Sequence, residues 1–413
     1  MQTILNYMYR LEHFGMKLGL ETITKLLHLL NNPQNKIKCI HIAGTNGKGS
    51  TTAYITQILQ EGGYTVGMYT SPHLVKFNER IRVNGQEIND KDIIKLTKKI
   101  KEVCEKNDLN PSFFECATAL AFLYFVEKKV DFAIIETGMG GRLDATNVIH
   151  PLMSIITNIS FDHQKHLGST LEKIAVEKGG IIKENGLVLT GDRNISIIKI
   201  FKKISEKKNA KFFTLNHNYR TIKSNLRGVS FTFNNNKYSI KLLGEHQVTN
   251  ACLAIQGIFL LHQQGEINLS LSQIRQGLLK TRWPVRLQIL KKKPLVLLDG
   301  AHNVAGMRTL KKFVKNIENR KILVLAIAKD KEISEMVKLI VPLFERVILT
   351  QGNYKPASLD TLEKWIEPYG IPITKIKDPV KAVEKALSLV KKEDFILITG
   401  SLYMVGDVLA RFS

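Results

Sequence analysis

Ile40-His-Ile-Ala-Gly-Thr-Asn-Gly-Lys-Gly-Ser-Thr-Thr52 decides how the rest of the chain is read. Lys36–Ile42 before it mixes Ile, Cys and His like a short buried strand, and Thr51–Leu59 after it has helical spacing. A glycine-rich turn between strand and helix leaves backbone N–H groups free at a helix N-terminus, where they cradle phosphate. Lys48 would reach the β- and γ-phosphates, and the hydroxyl of Ser50 or Thr51 would face Mg²⁺. The stretch departs from the standard P-loop in two places: Ile42 stands where the first glycine belongs, and Gly49 separates Lys48 from Ser50.

The chain has 413 residues, 44% hydrophobic and 23% charged, which predicts a globular protein of two domains. No run of about 18 apolar residues is present, so no membrane span is expected. Met1–Leu11 carries apolar residues at helical spacing but not the basic flank and apolar core of a signal peptide. Cys39, Cys104, Cys116 and Cys252 share no metal or redox spacing, which fits a cytoplasmic location. The net charge of +23 suits acidic ligands. Its lysines are scattered without interleaved aromatics, so no nucleic-acid partner is expected.

Read outward from the glycine-rich turn, Tyr64–Tyr69 is a strand ended by the Ser71-Pro72 turn, and Arg80 follows. Glu115 heads a long apolar helix that runs through Phe125. The apolar run Val130–Glu136 ends in an acid at the C-terminal end of a strand, the edge at which open α/β sheets bind ligands. Thr137-Gly-Met-Gly-Gly-Arg-Leu-Asp-Ala-Thr-Asn147 brings its backbone close to some group, with Arg142 and Asp144 placed for polar ligand atoms. Ser154–Asn158 is a strand leading to His163 and His166, and Lys178 follows on a helix. From Lys211 to Leu243 alternation predicts an antiparallel flap, after which a helix carries Asn250. Trp283-Pro284 closes the first domain. Beyond it, strands at Leu295–Asp299, Ile322–Ala328, Val347–Thr350 and Phe395–Thr399 alternate with helices, as in a mostly parallel sheet. No Gly-x-Gly-x-x-Gly motif opens this second domain.

Gly44-Thr-Asn-Gly-Lys-Gly-Ser-Thr51 resembles the variant loop of the Mur ligases, in particular folylpolyglutamate synthase and dihydrofolate synthase. The resemblance continues in order along the chain. It takes in Phe14–Glu21, the Ser71-Pro72 loop, the run Thr137–Asn147 (apart from Met139), His163, Lys178, Asn250, Arg286 and Asp299-Gly-Ala-His-Asn303. Lys178 is followed by Gly-Gly where the family has Ala-Gly, and Val285 stands where it usually has glycine. Ala328–Lys331 is a near match, with Lys329 unusual.

The resemblance implies an α/β protein: a P-loop ATPase-type domain over 1–283 with a mostly parallel sheet and a small antiparallel flap, and a smaller Rossmann-like domain over 284–413. It implies ATP-dependent addition of L-glutamate to folates through an acyl phosphate, and the same machinery would serve dihydropteroate. ATP would be held by Asn46, Gly47, Lys48, Gly49, Ser50, Asn250, Arg286 and Asp299. Two Mg²⁺ ions would sit on Ser71, Glu136, His163 and Lys178, the last carrying a CO₂-derived carbamate. Substrate contacts would come from Arg80, Glu115, Arg142, Leu143, Asp144, Ala145, His302 and Ser401, with Lys48, His163, Lys178 and His302 catalytic. A monomer is expected. Two rival readings stand beside this one: another Mur-type amino-acid ligase, and a basic P-loop NTPase acting on nucleic acid.

Overall fold

The computed structural model describes residues 19–412. The expected helical spacing over Met1–Leu11, and most of the Phe14–Glu21 match, lie outside that range. The chain divides into two compact units. The first comprises Met1–Lys223, Ser230–Lys241 and Gln247–Thr281; the second comprises Ser224–Val229, Leu242–His246 and Arg282–Ser413. The division falls close to Trp283-Pro284, and the second unit also takes in two short segments that precede it.

In the first unit the central strand is β1 (Lys38–Ala43), paired in parallel with β5 (Phe132–Glu136) on one side and β6 (Met153–Ile156) on the other. β2 (Val66–Tyr69), β7 (Leu187–Thr190) and β8 (Lys211–Thr214) extend the parallel set. β3 (Ile81–Val83) and β4 (Gln86–Glu87) turn back antiparallel at one edge. β1, β2, β5, β6 and β7 are buried along most of their length, as strands covered on both faces must be. One face of this sheet carries two clusters, one that includes Leu26, Tyr69, Phe122, Phe125 and Ile135, and one that gathers Ile156, Ile174, Val188 and Phe201. Because these strands are parallel, the turns after β1, β2, β5, β6 and β7 all emerge at one edge.

Lys211–Thr214 corrects the sequence reading. It is the last parallel strand of the main sheet, not part of the flap. Its exposed ends gave it the alternating texture of a hairpin. The flap itself is a separate sheet of β9 (Tyr219–Asn225), β10 (Gly228–Phe233) and β11 (Asn236–Ile240).

The second unit is a six-stranded sheet in the order β12-β13-β17-β14-β15-β16. β13 (Leu295–Leu298), β14 (Lys321–Leu325), β15 (Arg346–Leu349), β16 (Ile373–Lys375) and β17 (Phe395–Thr399) are parallel. β12 (Gln288–Lys292) is antiparallel to β13. Sequence reasoning missed β12 and β16, which are short and half-exposed.

Val285 is buried, at 2% exposure, yet its φ is +52°. A β-branched residue in the left-handed region is strained by about 1–2 kcal/mol. Val285→Gly is therefore expected to be more stable than Val285→Ala by about 1 kcal/mol in urea unfolding, the reverse of the usual order. Alanine equal to or better than glycine would show the backbone there to be unstrained.

Candidate active site

The loop after β1 is built for close approach. Gly44 has φ +146° and Gly47 φ +85°. A Cβ on Gly44 would lie 1.8 Å from Thr157 Oγ1, and one on Gly47 would lie 2.5 Å from Asn250 Oδ1. The helix Lys48–Glu61 then starts without any side-chain cap, so its first N–H groups open onto the loop. The hydroxyls of Thr51 and Thr52 are buried there without a hydrogen-bond partner.

Distant residues hold the loop in this shape. Asn46 N–H donates to Asn158 Oδ1 (3.1 Å), and Asn158 Nδ2 donates back to Asn46 O (2.8 Å). Thr157 Oγ1 donates to the same carbonyl (2.7 Å), and Thr45 Oγ1 bridges to Ser160 O and Ser160 N. From the helix His246–Gln263, Gln247 Nε2 donates to Ser50 Oγ (3.3 Å), and Asn250 Nδ2 donates to Gln247 Oε1 (3.1 Å). Asn250 thus packs directly on Gly47. Asn158, Thr157 and Gln247 were not singled out in the sequence, because each acts across more than a hundred residues of chain.

Two lysines meet at the mouth of this loop. Lys48 Nζ donates to Gly44 O at 3.1 Å and Thr45 O at 3.4 Å, and Lys178 Nζ donates to Gly44 O at 2.9 Å. Lys178 lies at the end of the helix Leu171–Gly179, is 4% exposed, and has its pKa lowered to about 7. Burial is the main cause and the Lys48 ammonium adds to it, while Asp162 and Asp144 oppose. Burial therefore favours the neutral amine over the ammonium.

Glu136 ends β5 opposite Ile42, one residue before β1 runs out, and its Oε2 accepts from Ser71 N at 3.3 Å. The structure thereby brings together the Ser71 turn, Glu136 and the glycine-rich loop. Thr137 Oγ1, beside Glu136 in the chain, is buried and unpartnered. His163, at φ +50°, stands half-exposed beside Asp162 after β6. Among the described residues no group of three or more His, Cys, Asp or Glu side chains is gathered for a metal. The Glu136 carboxylate beside the Ser71 turn, with the buried Thr137 hydroxyl next to it in the chain, suits a hard cation that keeps most of its waters, whereas His163 is not shown to join them.

Several residues expected to face substrate already have protein partners. Arg80 Nε donates to His73 Nδ1 (2.8 Å), and its guanidinium lies 5.2 Å from the centre of the Phe113 ring. Burial and then Arg80 push the His73 pKa down to about 4, so the ring is a neutral acceptor. Glu115 accepts from Ser112 N (2.7 Å) and Ser112 Oγ (2.8 Å), the capping box of the helix Phe113–Glu127. Arg142 pairs with Glu177 at 2.8 Å on the surface. Asp144 is buried with both oxygens engaged: Oδ1 by Thr146, Oδ2 by Met139 N. The carboxylates of Glu115 and Asp144 thus hold backbone and hydroxyl groups of the protein itself. Leu143 is half-buried and Ala145 buried on the same loop.

In the second unit, Asp299 follows β13 and accepts from Leu287 N (3.0 Å) and Ala301 N (2.9 Å). Burial raises its pKa and the Arg286 guanidinium opposes this. His302 Nδ1 lies 2.9 Å from Gly300 O, to which it donates. Ser401 is buried and precedes the helix Leu402–Phe412. All four lie at the C-terminal edge of the second sheet.

Residues 42–257 match the model of the Mur ligase middle domain, and residues 285–402 that of the Mur ligase glutamate ligase domain. The dihydrofolate synthase/folylpolyglutamate synthase of Bacillus subtilis (strain 168) is 37% identical, over 96% of each chain. The crystal structure of folylpolyglutamate synthase from Thermotoga maritima superposes with a TM-score of 0.86 at 34% identity, covering 100% of this chain and 97% of that one. E. coli FolC in complex with DHPP and ADP gives a TM-score of 0.87 at 26% identity, covering 99% and 98%. The chain belongs to the folylpolyglutamate synthase/dihydrofolate synthase family of Mur ligases, and is an ATP-dependent ligase.

Proposed function

We propose that the chain joins L-glutamate to the terminal carboxylate of tetrahydrofolates, and also to dihydropteroate, through an acyl phosphate. The observation that carries this reading is the meeting of Lys48 and Lys178 on Gly44 O at an uncapped helix N-terminus, with Glu136 at the neighbouring strand end.

Asn46–Ser50 hold the ATP phosphates through backbone N–H groups, and Lys48 leaves its loop carbonyls to contact the β- and γ-phosphates. An oxygen of the substrate carboxylate attacks the γ-phosphorus, the bond to the β-phosphate oxygen breaks, and ADP leaves. The glutamate amine, oriented by His302 and Ser401, attacks the acyl carbon. The amide forms, inorganic phosphate departs with the carboxylate oxygen, and the amine gives up a proton for which His302 Nε2 is the proposed acceptor. Mg²⁺, for which Ser71, Glu136, His163 and carbamylated Lys178 are the proposed ligands, neutralises charge on the transferring phosphoryl group when bound. Asn250, Arg286 and Asp299 orient ATP. Arg80, Arg142, Leu143 and Ala145 flank the folate, with Glu115 and Asp144 holding the surrounding backbone. The net charge of +23 favours these anionic substrates. We read the chain as a monomer with no nucleic-acid role.

The test is phosphate release from Mg·ATP and L-glutamate with tetrahydrofolate or dihydropteroate, with mass analysis of the product. Both acceptors should gain glutamate. Gain by tetrahydrofolate alone would restrict the enzyme to chain extension, and gain by neither would overturn the folate reading.

A further inference from the structure

His41 lies in the middle of β1, paired with Ile135 on one side and Ser154 on the other, and is fully buried. An imidazole in such a place is costly unless it is hydrogen-bonded. Its Nε2 is 2.8 Å from Thr146 Oγ1, across 105 residues of chain. Thr146 Oγ1 in turn donates its only proton to Asp144 Oδ1. The hydroxyl must therefore accept from His41, which fixes the Nε2–H tautomer and leaves Nδ1 without a partner. Burial and then Lys183 hold the ring neutral, with the pKa lowered to about 3.

Asp144 draws together the two ends of the loop Thr137–Asn147 that follows β5. Oδ1 accepts from Thr146 N at 3.0 Å and Oδ2 from Met139 N at 2.8 Å. A second tie runs beside it: Lys183 Nζ donates to Asn147 O (2.7 Å), and Asn147 Nδ2 donates to Arg142 O and Gly180 O. The loop begins directly after Glu136 and carries Arg142, Leu143 and Ala145.

We propose that His41 is a positioning residue for this loop. The relay from His41 Nε2–H through Thr146 Oγ1–H to Asp144 fastens the loop to the central strand, and through it sets affinity for the acyl acceptor. The second half of this statement rests on the folate-ligase reading; the first half does not.

The test compares His41→Leu, His41→Gln and Thr146→Val with the wild type. His41→Leu should raise KM for the folate acceptor about tenfold, with KM for ATP changed less than about twofold. His41→Gln, which keeps an N–H donor at a similar reach, should recover to within about threefold of wild type. Thr146→Val severs the relay at the hydroxyl without disturbing the strand, and should reproduce the leucine phenotype. Independently of turnover, amide hydrogen exchange at Met139 and Thr146 should quicken in His41→Leu and Thr146→Val, while exchange over Gly44–Ser50 stays as in wild type. Equal losses for ATP and acceptor, or unchanged exchange at Met139 and Thr146, would overturn the role of His41. Wild-type turnover with folate decides the functional reading separately.

Discussion

Lys178→Met is expected to lower kcat by about a thousandfold or more while making the folded protein more stable at pH 7. Both effects come from one feature, an amine buried at Gly44 O with a pKa near 7. The activity loss follows from the proposed carbamate, which forms when the neutral amine attacks CO₂ and releases a proton. The stability gain follows from proton linkage. In the unfolded chain this lysine keeps its proton up to the ordinary value of 10.5, whereas in the fold it releases it near 7. Between those values the unfolded state binds more protons, so wild-type stability rises with pH. Below about pH 7 both states are protonated and the full cost of burial remains. Methionine removes that cost, so the variant should unfold at higher denaturant concentration than wild type at pH 7, with the climb above pH 7 abolished. A variant that is inactive and also less stable at pH 7 would mean that the buried amine is well solvated in the fold.

Lys48→Met is the second large effect. Under the proposed function Lys48, the one cation in the loop after β1 and the helix that follows it, meets the negative charge that the transferring phosphoryl group concentrates. A loss in kcat/KM for ATP of about a hundredfold or more is expected. A further consequence separates this account from simple loss of ATP affinity. The Lys48 ammonium helps depress the pKa of Lys178. Without it Lys178 should hold its proton to higher pH, less neutral amine is available to CO₂, and the acid limb of the rate profile should move upward in pH. A pH–rate series at saturating ATP measures this. An unmoved acid limb would show that the two lysines do not communicate.

The glycine turn between β1 and its helix, and the place of Glu136 at a strand end, were legible in the sequence because their patterns are local. Strand, glycine turn and uncapped helix follow one another directly, and an acid at the end of an apolar run marks a strand terminus. The partners that hold them were not legible. Asn158 clamps Asn46 from 112 residues away and Gln247 reaches Ser50 from 197, and no local pattern signals either pairing. His41 read as part of an apolar strand, since its partner Thr146 lies on a loop with a different chemical signature. Glu115 shows the converse. Ser112 three residues before it makes a capping box in plain view, and that local role engages the carboxylate within the protein. In the second unit the alternating strands were evident, but β12 and β16 carry too little apolar surface to be distinguished from loops.

The measurement that tests the central claim most directly follows an oxygen atom. Tetrahydrofolate bearing a heavy-oxygen label in the terminal carboxylate is incubated with the enzyme, Mg·ATP and L-glutamate, and the released phosphate is analysed by mass. Glutamate ligation through an acyl phosphate predicts a single labelled oxygen in each phosphate formed, matched by glutamate gained in the product. Phosphate released without label, or label transfer that does not require glutamate for net product, would contradict the account.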